Sequence, residues 1–526
     1  MTGLRSIAAS GPPGRDGRRD HGEVKATATR RASDRALAAD LDRWWFGDVG
    51  LVALLAAGVH LVVATRYGWH RDEFYYVATG RRLAWGYPDQ PPLTPLVARF
   101  AAAFGHGVLP LRIIVVGVQA GVIMTTSLLA REFGGARFAQ VLAAGCAAGC
   151  AVFVGASLFL GTTPIDQLLW TVLVLLVLVS MRTGRVRWWL ASGVVAGVGL
   201  EDKHTVAVLL LGIVVGLAVF RREELARAGP WLAALIAAAM WLPNLVWDAQ
   251  HHWITLDMAR ALADDQGGIG GALSQVPVLV LVLPGPLIVY LWLRGAKWVT
   301  VGDGTAHRWV LVAAAVVTAA VVIGGGKPYY PAPLLAPLFA LGAVATERRW
   351  SEGSTPRRRA SVLVATSAFV APLVGLAVLP PAMVGALGPL DREPMETYGW
   401  QSVAAQVTYQ ARRHPGAVAV YAGNYGEVGA LVTYGPDLGL RPPVVAGQNA
   451  YGLWGPPHGR PTEVIAVGQF SASWLHESWG DVVELAPIRL PGGLDNQETE
   501  NDAAIYLCRR PRGSWADLWP TLSYLN

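Results

Sequence analysis

Charge is scarce in this chain of 526 residues, since only 15% of them are Asp, Glu, Lys or Arg. A soluble domain carries about a quarter of such residues, and here 53% are hydrophobic instead. Apolar runs long enough to cross a bilayer recur through the first three quarters of the sequence, which excludes a soluble globular protein. About eleven membrane-spanning helices are predicted, at 47–65, 108–130, 138–158, 165–181, 187–201, 204–220, 230–247, 272–293, 308–324, 330–346 and 361–380.

Cysteines and internal repeats are also few. Cys146 and Cys150 lie within one predicted span and only Cys508 lies outside the spans, so a disulfide framework is excluded for the C-terminal part. No internal repeat is evident, which disfavours secondary transporters built from inverted repeats. The net charge of +6 comes partly from the N-terminal segment and the basic loops, so we expect no nucleic-acid partner.

Basic residues predict the orientation. Arg182, Arg221 and the cluster 357–359 fall in alternate loops, which the positive-inside rule places in the cytoplasm. The first 45 residues are rich in Arg, Ala, Gly and Ser without an apolar face, which predicts a disordered cytoplasmic tail rather than a secretory signal. The sequence therefore predicts a multi-pass plasma-membrane protein whose N-terminus is cytoplasmic and whose C-terminal part is extracytoplasmic.

The last part of the chain changes character. Residues 46–385 form the predicted membrane domain, whereas residues 386–526 lack membrane-length runs. Short apolar segments at 417–421, 463–467 and 504–507 predict buried strands, and 400–412 predicts a helix. The predicted fold class is mainly α: a polytopic helical membrane domain with a small external α/β domain.

With this orientation, each external loop presents polar or ionisable groups, and carboxylates beside a bilayer are costly enough to indicate function. Their position at the outer boundary, rather than at the membrane midplane, favours an enzyme over the alternative of a polytopic transporter or lipid flippase. The residues singled out are Asp72, Glu73, Arg81, Arg82 and Asp89 in the first loop, and Asp166, Lys203, His251, Lys327 and Tyr330 in the later ones.

These residue types suit sugar transfer. A carboxylate can take the acceptor's proton, for which Asp72, Asp89 and Asp166 are candidates. Cationic groups can stabilise a phosphate leaving group, and Lys203, Lys327, Arg81 and Arg82 could hold a lipid-linked phosphate. Asp89 with His251 or His252 could bind a divalent cation such as zinc or manganese.

Each candidate also has a structural interpretation. Asp72 could be an exposed acid in the first turn of a helix, Glu73 could pair with an arginine, and Asp166 could cap a helix. Lys203 could snorkel to the membrane interface. Asp89 could be a turn acid between prolines, and Lys327 could belong to a flexible hairpin.

Three motifs together resemble a known family. Asp72-Glu73 after the first span, Tyr87-x-Asp89-Gln90-Pro91-Pro92-Leu93 and Pro164-Ile165-Asp166 at a span entrance resemble GT-C glycosyltransferases of family 39. This family includes protein O-mannosyltransferases and lipid A aminoarabinose transferases. The motifs Pro243–Trp247, Gly326–Tyr330, Tyr425–Leu431 and Gly447–Pro457 are similar to a bacterial branch of it.

The resemblance implies inverting transfer from a polyprenyl-phosphate sugar donor to an extracytoplasmic protein, lipid or cell-wall glycan. It implies that Asp72 is the catalytic base, that Asp166 is a second essential carboxylate and that Lys203 contacts the donor phosphate. Glu73 and Tyr330 are assigned acceptor or auxiliary roles. Asp89-Gln90 replaces the Glu-Lys of the aminoarabinose transferases, so the sugar, the acceptor and the metal role of Asp89 stay open. A further alternative is an inactive family member whose external domain binds a partner.

Overall fold

The computed structural model describes residues 45–350, 352–387 and 392–525. The predicted tail therefore lies outside the described residues, apart from Trp45. The chain divides into two units, Met1–Leu51 and Val52–Asn526. The described part of the first unit is the beginning of one helix, and the second unit holds all the other described elements.

The described residues from 45 to 387 form helices joined by loops. The helices are α1 (Trp45–Val63), α2 (Arg71–Arg81), α3 (Leu93–Ala102), α4 (Leu109–Glu132), α5 (Arg137–Ala148), α6 (Ala151–Ala156), α7 (Thr162–Thr183), α8 (Val186–Leu200), α9 (Thr205–Phe220), α10 (Arg222–Leu225), α11 (Ala228–Gln250), α12 (Ile254–Asp265), α13 (Gly268–Ser274), α14 (Val289–Val301), α15 (Arg308–Ile323), α16 (Leu335–Arg349), α17 (Thr355–Gly375) and α18 (Pro381–Ala386).

Membrane-length helices confirm a multi-pass, mainly helical protein. Within the described residues, α1, α4, α7, α11 and the segment Thr305–Ile323 are long and apolar enough to cross a bilayer. Shorter apolar helices include α3, α8, α9 and the segment Gly268–Val282.

Two predicted spans are wrong as single helices. The predicted span 138–158 breaks between α5 and α6, where Gly149 lies so close to α17 that a Cβ there would be 2.7 Å from the backbone nitrogen of Ala368. The predicted span 272–293 breaks into α13, a π-helical turn and α14. Pro284 and Pro286 flank Gly285, whose φ of 97° suits glycine and ends the helix.

Helix α16 is enclosed by protein. Its residues from 335 to 346 are all buried, so it is apolar on every face rather than on one stripe. The backbones of α14 and α16 approach closely, because a Cβ at Gly342 would lie 2.1 Å from the carbonyl oxygen of Leu291. Small residues allow such contacts between membrane helices.

The C-terminal α/β region, residues 392–525, is built around one sheet. Its helices are α19 (Trp400–Arg413), α20 (Tyr425–Leu438), α21 (Ala450–Leu453), α22 (Ala472–Ser478), α23 (Gln497–Glu500) and α24 (Trp515–Leu522). Its strands are β1 (Ala419–Ala422), β2 (Val444–Ala446), β3 (Glu463–Gly468), β4 (Trp479–Pro487) and β5 (Ala504–Pro511). The strand order is β2-β1-β3-β5-β4.

Parallel pairing fixes where the loops of this region gather. β1 is parallel to β2 and to β3, whereas β5 is antiparallel to β3 and to β4. Helices α19 and α20 pack on one face of the sheet, and α22 and α24 pack on the other. The loops after β1, β2 and β3 leave the same edge of the sheet, where ligand sites of parallel sheets form. This edge faces α2.

Candidate active site

The described residues enclose a cavity of about 570 Å³ between α2, the loops of the helical part and the C-terminal α/β region. Its walls combine carboxylates, lysines and tyrosines. The lining includes His70, Arg71, Asp72, Tyr75, Asp89, Thr163, Lys203, Lys327, Tyr329, Tyr330, Glu393, Glu396, Tyr425, Gln448, Asn449 and Gln497. The cavity therefore holds Asp72, Asp89, Lys203, Lys327 and Tyr330 of the residues predicted from the sequence.

Asp72 is held in the first turn of α2. His70 caps this helix, since its Nδ1 accepts a hydrogen bond from the backbone nitrogen of Asp72 at 3.1 Å, and Glu73 completes the capping box. The Oδ1 atom of Asp72 accepts a hydrogen bond of 2.9 Å from the hydroxyl of Tyr425. Asp72 is half-buried and lines the cavity, so its carboxylate is open to a ligand.

Glu73 points away from the cavity into the protein. It is fully buried, and Arg112 Nη2 lies 2.8 Å from its Oε2 while Arg112 Nε lies 3.2 Å from its Oε1. The backbone nitrogens of His70 and Leu160 also donate to this carboxylate. The geometry is that of a fully bonded ion pair, and it does not bring Glu73 to an acceptor in the cavity.

Asp89 reaches the cavity from the loop between α2 and α3. Its Oδ1 accepts a hydrogen bond of 2.6 Å from the hydroxyl of Tyr75. Asp89 is exposed to the cavity, but the surrounding side chains displace part of its water, and this desolvation raises the pKa of Asp89 to about 6, although the Tyr75 hydrogen bond acts in the opposite direction.

Asp166 lies behind the cavity wall. It is buried in the first turns of α7, and the hydroxyl of Thr205 donates to its Oδ2 at 3.3 Å. Asp166 is absent from the cavity lining among the described residues. A second buried acid, Asp202, precedes Lys203 and accepts a hydrogen bond of 2.7 Å from Thr94. The two carboxylates act electrostatically on Lys203.

Besides Arg71, which lies 4.0 Å from Glu498, Lys203 and Lys327 supply positive charge to the cavity. The Nζ atom of Lys203 lies 3.4 Å from the hydroxyl of Thr163 and 4.5 Å from the ring centre of Tyr330. Burial lowers the pKa of Lys203, and the charges of Asp166 and Asp202 partly restore it. An anion in the cavity would stabilise the charged form of this lysine.

Arg81 and Arg82 are exposed at the end of α2. The guanidinium of Arg82 stacks 4.5 Å over the ring of Trp454. Neither arginine belongs to the cavity lining within the described residues, so the geometry does not bring them to a phosphate bound there.

The described residues offer no cluster of three or more His, Cys, Asp or Glu side chains suited to a metal ion. Asp89 lines the cavity, whereas His251 stacks on Trp247 with ring centres 4.0 Å apart and its Nδ1 lies 2.7 Å from the Trp247 carbonyl oxygen. The predicted pair Asp89 and His251 therefore does not fit a built cation site.

One wall of the cavity comes from the C-terminal α/β region, in which the sequence analysis assigned no site residue. Tyr425 follows β1, and Gln448 and Asn449 follow β2. Glu393 contacts His70, with 3.1 Å between Oε2 and Nε2. Partial desolvation opposes ionisation of Glu393, whose side chain is 53% exposed, but the hydrogen bond and charge of His70 outweigh it and lower the pKa of Glu393. The available signal was the pair of motifs Tyr425–Leu431 and Gly447–Pro457, which contain Tyr425, Gln448 and Asn449.

Residues 89–247 match the model of the family described as dolichyl-phosphate-mannose-protein mannosyltransferase. No curated protein matches the chain.

Among solved structures, ArnT from Cupriavidus metallidurans is similar in its apo state and bound to undecaprenyl phosphate, with TM-scores of 0.56 and 0.54. In both cases the identity is 15%, and the match covers 88% of this chain and 98% of ArnT. The oligosaccharyltransferase of Archaeoglobus fulgidus is more distant, with a TM-score of 0.48, 12% identity and coverage of 77% and 64%. The family match and the fold shared with ArnT support a membrane glycosyltransferase of the GT-C class.

Proposed function

We propose that this protein transfers a sugar from a polyprenyl-phosphate donor to an extracytoplasmic acceptor, with inversion at the anomeric carbon. The observation that carries the proposal is one cavity that holds a carboxylate available as a base, Asp72, together with two lysines, Lys203 and Lys327. Inverting transfer needs both kinds of group around the reacting carbon.

The donor phosphate is assigned to the lysine side of the cavity. Lys203 lies in the short loop between α8 and α9, and Lys327 follows α15, so both come from loops at the ends of apolar helices. A lipid-linked phosphate emerging from the bilayer meets such loops first. The similar ArnT structure contains undecaprenyl phosphate, which supports the same ligand class here.

Asp72 would take the proton of the acceptor nucleophile. The acceptor atom forms a bond to the anomeric carbon as the bond from that carbon to the phosphate oxygen breaks, and the electron pair leaves with the phosphate. Lys203 and Lys327 would neutralise the charge that develops on this leaving group. Asp166 and Asp202 would act through Lys203, because their negative charges favour its protonated form.

The part of the chain that the structure describes offers no built divalent-cation site, and no step is assigned to a metal. Arg81, Arg82 and Glu73 are likewise left without a role in the reaction.

We also propose that the C-terminal α/β region lies outside the cell and that the N-terminus is cytoplasmic. The alternation of basic loops supports this orientation, and it places the cavity on the side where a lipid-linked sugar would be used.

The proposal is tested with purified protein in nanodiscs and a polyprenyl-phosphate sugar. Asp72→Asn should retain donor binding but lose transfer, because an amide cannot accept the acceptor's proton. Asp264→Asn removes an exposed acid of α12 that does not line the cavity, and it should transfer at the rate of the parent. Transfer by Asp72→Asn at the parental rate would refute Asp72 as the base.

The lysine assignment needs a binding measurement. Lys203→Ala should weaken donor binding more than acceptor binding, whereas the exposed Lys297→Ala should change neither. Equal losses for donor and acceptor would indicate a structural lysine.

Movement of lipid or solute across vesicles without consumption of a donor would instead support a transporter. Mass spectrometry of envelope glycans from cells that lack the protein would identify the sugar and acceptor together.

A further inference from the structure

We infer that Tyr425 of the C-terminal α/β region is a positioning residue for Asp72: its hydroxyl holds Oδ1 and leaves Oδ2 to take the acceptor's proton. The inference rests on the proposed role of Asp72 as the base. It makes the α/β region a contributor to the chemical step rather than an appended binding module.

The contact joins two distant parts of the chain. The Tyr425 hydroxyl donates to Asp72 Oδ1 at 2.9 Å across 353 residues of sequence. The other oxygen, Oδ2, has no hydrogen-bond donor among the described residues. A phenol that donates to a carboxylate stabilises its ionised form and restricts its rotation. Asp72 is thereby kept in the state and orientation that a general base requires.

Tyr425 is itself fixed from several sides. It is the first residue of α20, its backbone nitrogen donates to Gln448 Oε1 at 2.9 Å, and Asn424 caps the helix. The Arg71 guanidinium lies 5.0 Å from the centre of its ring. The ring of Tyr75 lies 4.9 Å away on the other helix. These contacts leave the hydroxyl little freedom to move from Asp72.

Close helix packing sets the distance between Tyr425 and Asp72. A Cβ at Gly429 of α20 would lie 2.0 Å from the Cβ of Phe74 on α2, and a Cβ at Gly426 would lie 3.0 Å from the Cβ of Arg71. The two helices therefore touch through backbone and Cβ atoms. A site held by packed helices keeps its geometry better than one held by loops.

A second tyrosine repeats the arrangement on the neighbouring acid. The Tyr75 hydroxyl donates to Asp89 at 2.6 Å and accepts from the backbone nitrogen of Ala450 at 3.2 Å. At Asp89 the donating phenol is Tyr75 of α2, and the α/β region binds that phenol through Ala450. At Asp72 the donating phenol, Tyr425, belongs to the α/β region itself. Asp72 and Asp89 thus both depend on contacts from the same region.

The test is the steady-state kinetics of Tyr425→Phe in nanodiscs. This change keeps the ring contacts with Arg71 and Tyr75 and removes only the hydroxyl. We expect kcat to fall about tenfold to a hundredfold, since a hydrogen bond to a charged group is lost, while KM for donor and acceptor stays within about twofold. The control is Tyr434→Phe, which removes a hydroxyl from the same helix at a ring that contacts Phe74.

A pH–rate profile separates positioning from simple docking. If the hydroxyl acts through Asp72, the acid limb of kcat should move to higher pH in Tyr425→Phe, because the carboxylate loses a donor. An unchanged kcat, a lower rate with an unshifted acid limb, or a rise in KM alone would overturn the inference. Full transfer by Asp72→Asn would instead refute the proposed function, and that experiment does not involve Tyr425.

Discussion

At the scale of single residues, two adjacent acids of α2 have different surroundings. Successive helix residues point about 100° apart, so the sequence indicates that Asp72 and Glu73 cannot share one target. It does not reveal that Glu73 meets Arg112, 39 positions away. The alternative interpretation of Glu73 as the partner of an arginine is the one that the geometry supports. Local patterns identify the acids, whereas tertiary contacts decide which of them reaches the cavity.

The buried pair formed by Glu73 and Arg112 should be essential for stability. Glu73→Gln leaves the Arg112 guanidinium buried without a counter-charge, so we expect a loss of about 3–5 kcal/mol in the free energy of unfolding. Thermal unfolding in detergent measures it. Arg260→Ala breaks the exposed pair with Asp257 and should cost less than about 1 kcal/mol. Equal effects of the two changes would contradict the prediction.

Glu396 should make stability depend on pH. Burial raises the pKa of Glu396 to about 7, so the folded protein binds this proton more tightly than the unfolded chain. Its contribution to stability is complete below the ordinary pKa and is lost as the pH rises through about 7. Glutamine does not titrate, so the free energy of unfolding of Glu396→Gln, relative to that of the parent, should rise by about 1–3 kcal/mol between pH 5 and pH 8.

Melting temperatures of Glu396→Gln and the parent, measured in parallel across that pH range, test this expectation. The exposed Glu477→Gln of the same region serves as the control. A constant difference between Glu396→Gln and the parent at every pH would show that Glu396 titrates equally in the folded and unfolded states.

At the scale of elements, the contact between α2 and α20 joins the two parts of the cavity. Gly429→Ala places a methyl group where Phe74 already lies, so we expect a loss of about 1–3 kcal/mol in stability and a lower transfer rate in the protein that folds. Gly117→Ala in α4 adds a methyl group with no atom within 4 Å and should lower neither quantity. Full stability and full activity of Gly429→Ala would show that the helices can separate without consequence.

Strong apolar patterns predicted elements better than weak ones did. The segments 417–421, 463–467 and 504–507 overlap β1, β3 and β5, and α19 matches the predicted helix 400–412. Strand β2 is only three residues long, and β4 is half-buried or exposed along most of its length. The apolar run of β2 is too short to indicate a strand and β4 has no continuous apolar run, so both escaped prediction.

At the scale of the whole molecule, the sequence predicted the fold class and the membrane location, because hydropathy depends on local composition. The cavity wall formed by Tyr425, Gln448 and Asn449 could not be predicted in the same way. Tyr425 contacts Asp72, and the neighbouring Ala450 contacts the Tyr75 hydroxyl that holds Asp89, through packing between segments more than 300 positions apart. Hydrophobic periodicity carries no information about such pairs.

The proposed orientation can be measured with a membrane-impermeant maleimide, since the native cysteines Cys146, Cys150 and Cys508 are all buried. Asn501→Cys adds an exposed thiol to the α/β region, and Glu352→Cys adds one beside the basic loop before α17. We expect intact cells to label only Asn501→Cys and opened cells to label both. The reverse pattern in intact cells would invert the topology.

The enclosure of α16 has a consequence for assembly in the bilayer. Its apolar sequence is stable among lipid chains when it inserts, but in the finished protein the residues from 335 to 346 contact only protein. Lipid must therefore leave every side of this helix as its neighbours close around it, and the tight approach of Gly342 to Leu291 allows no lipid chain to remain between α14 and α16. Exchange of lipid for protein packing, rather than exclusion of water, is what buries this helix.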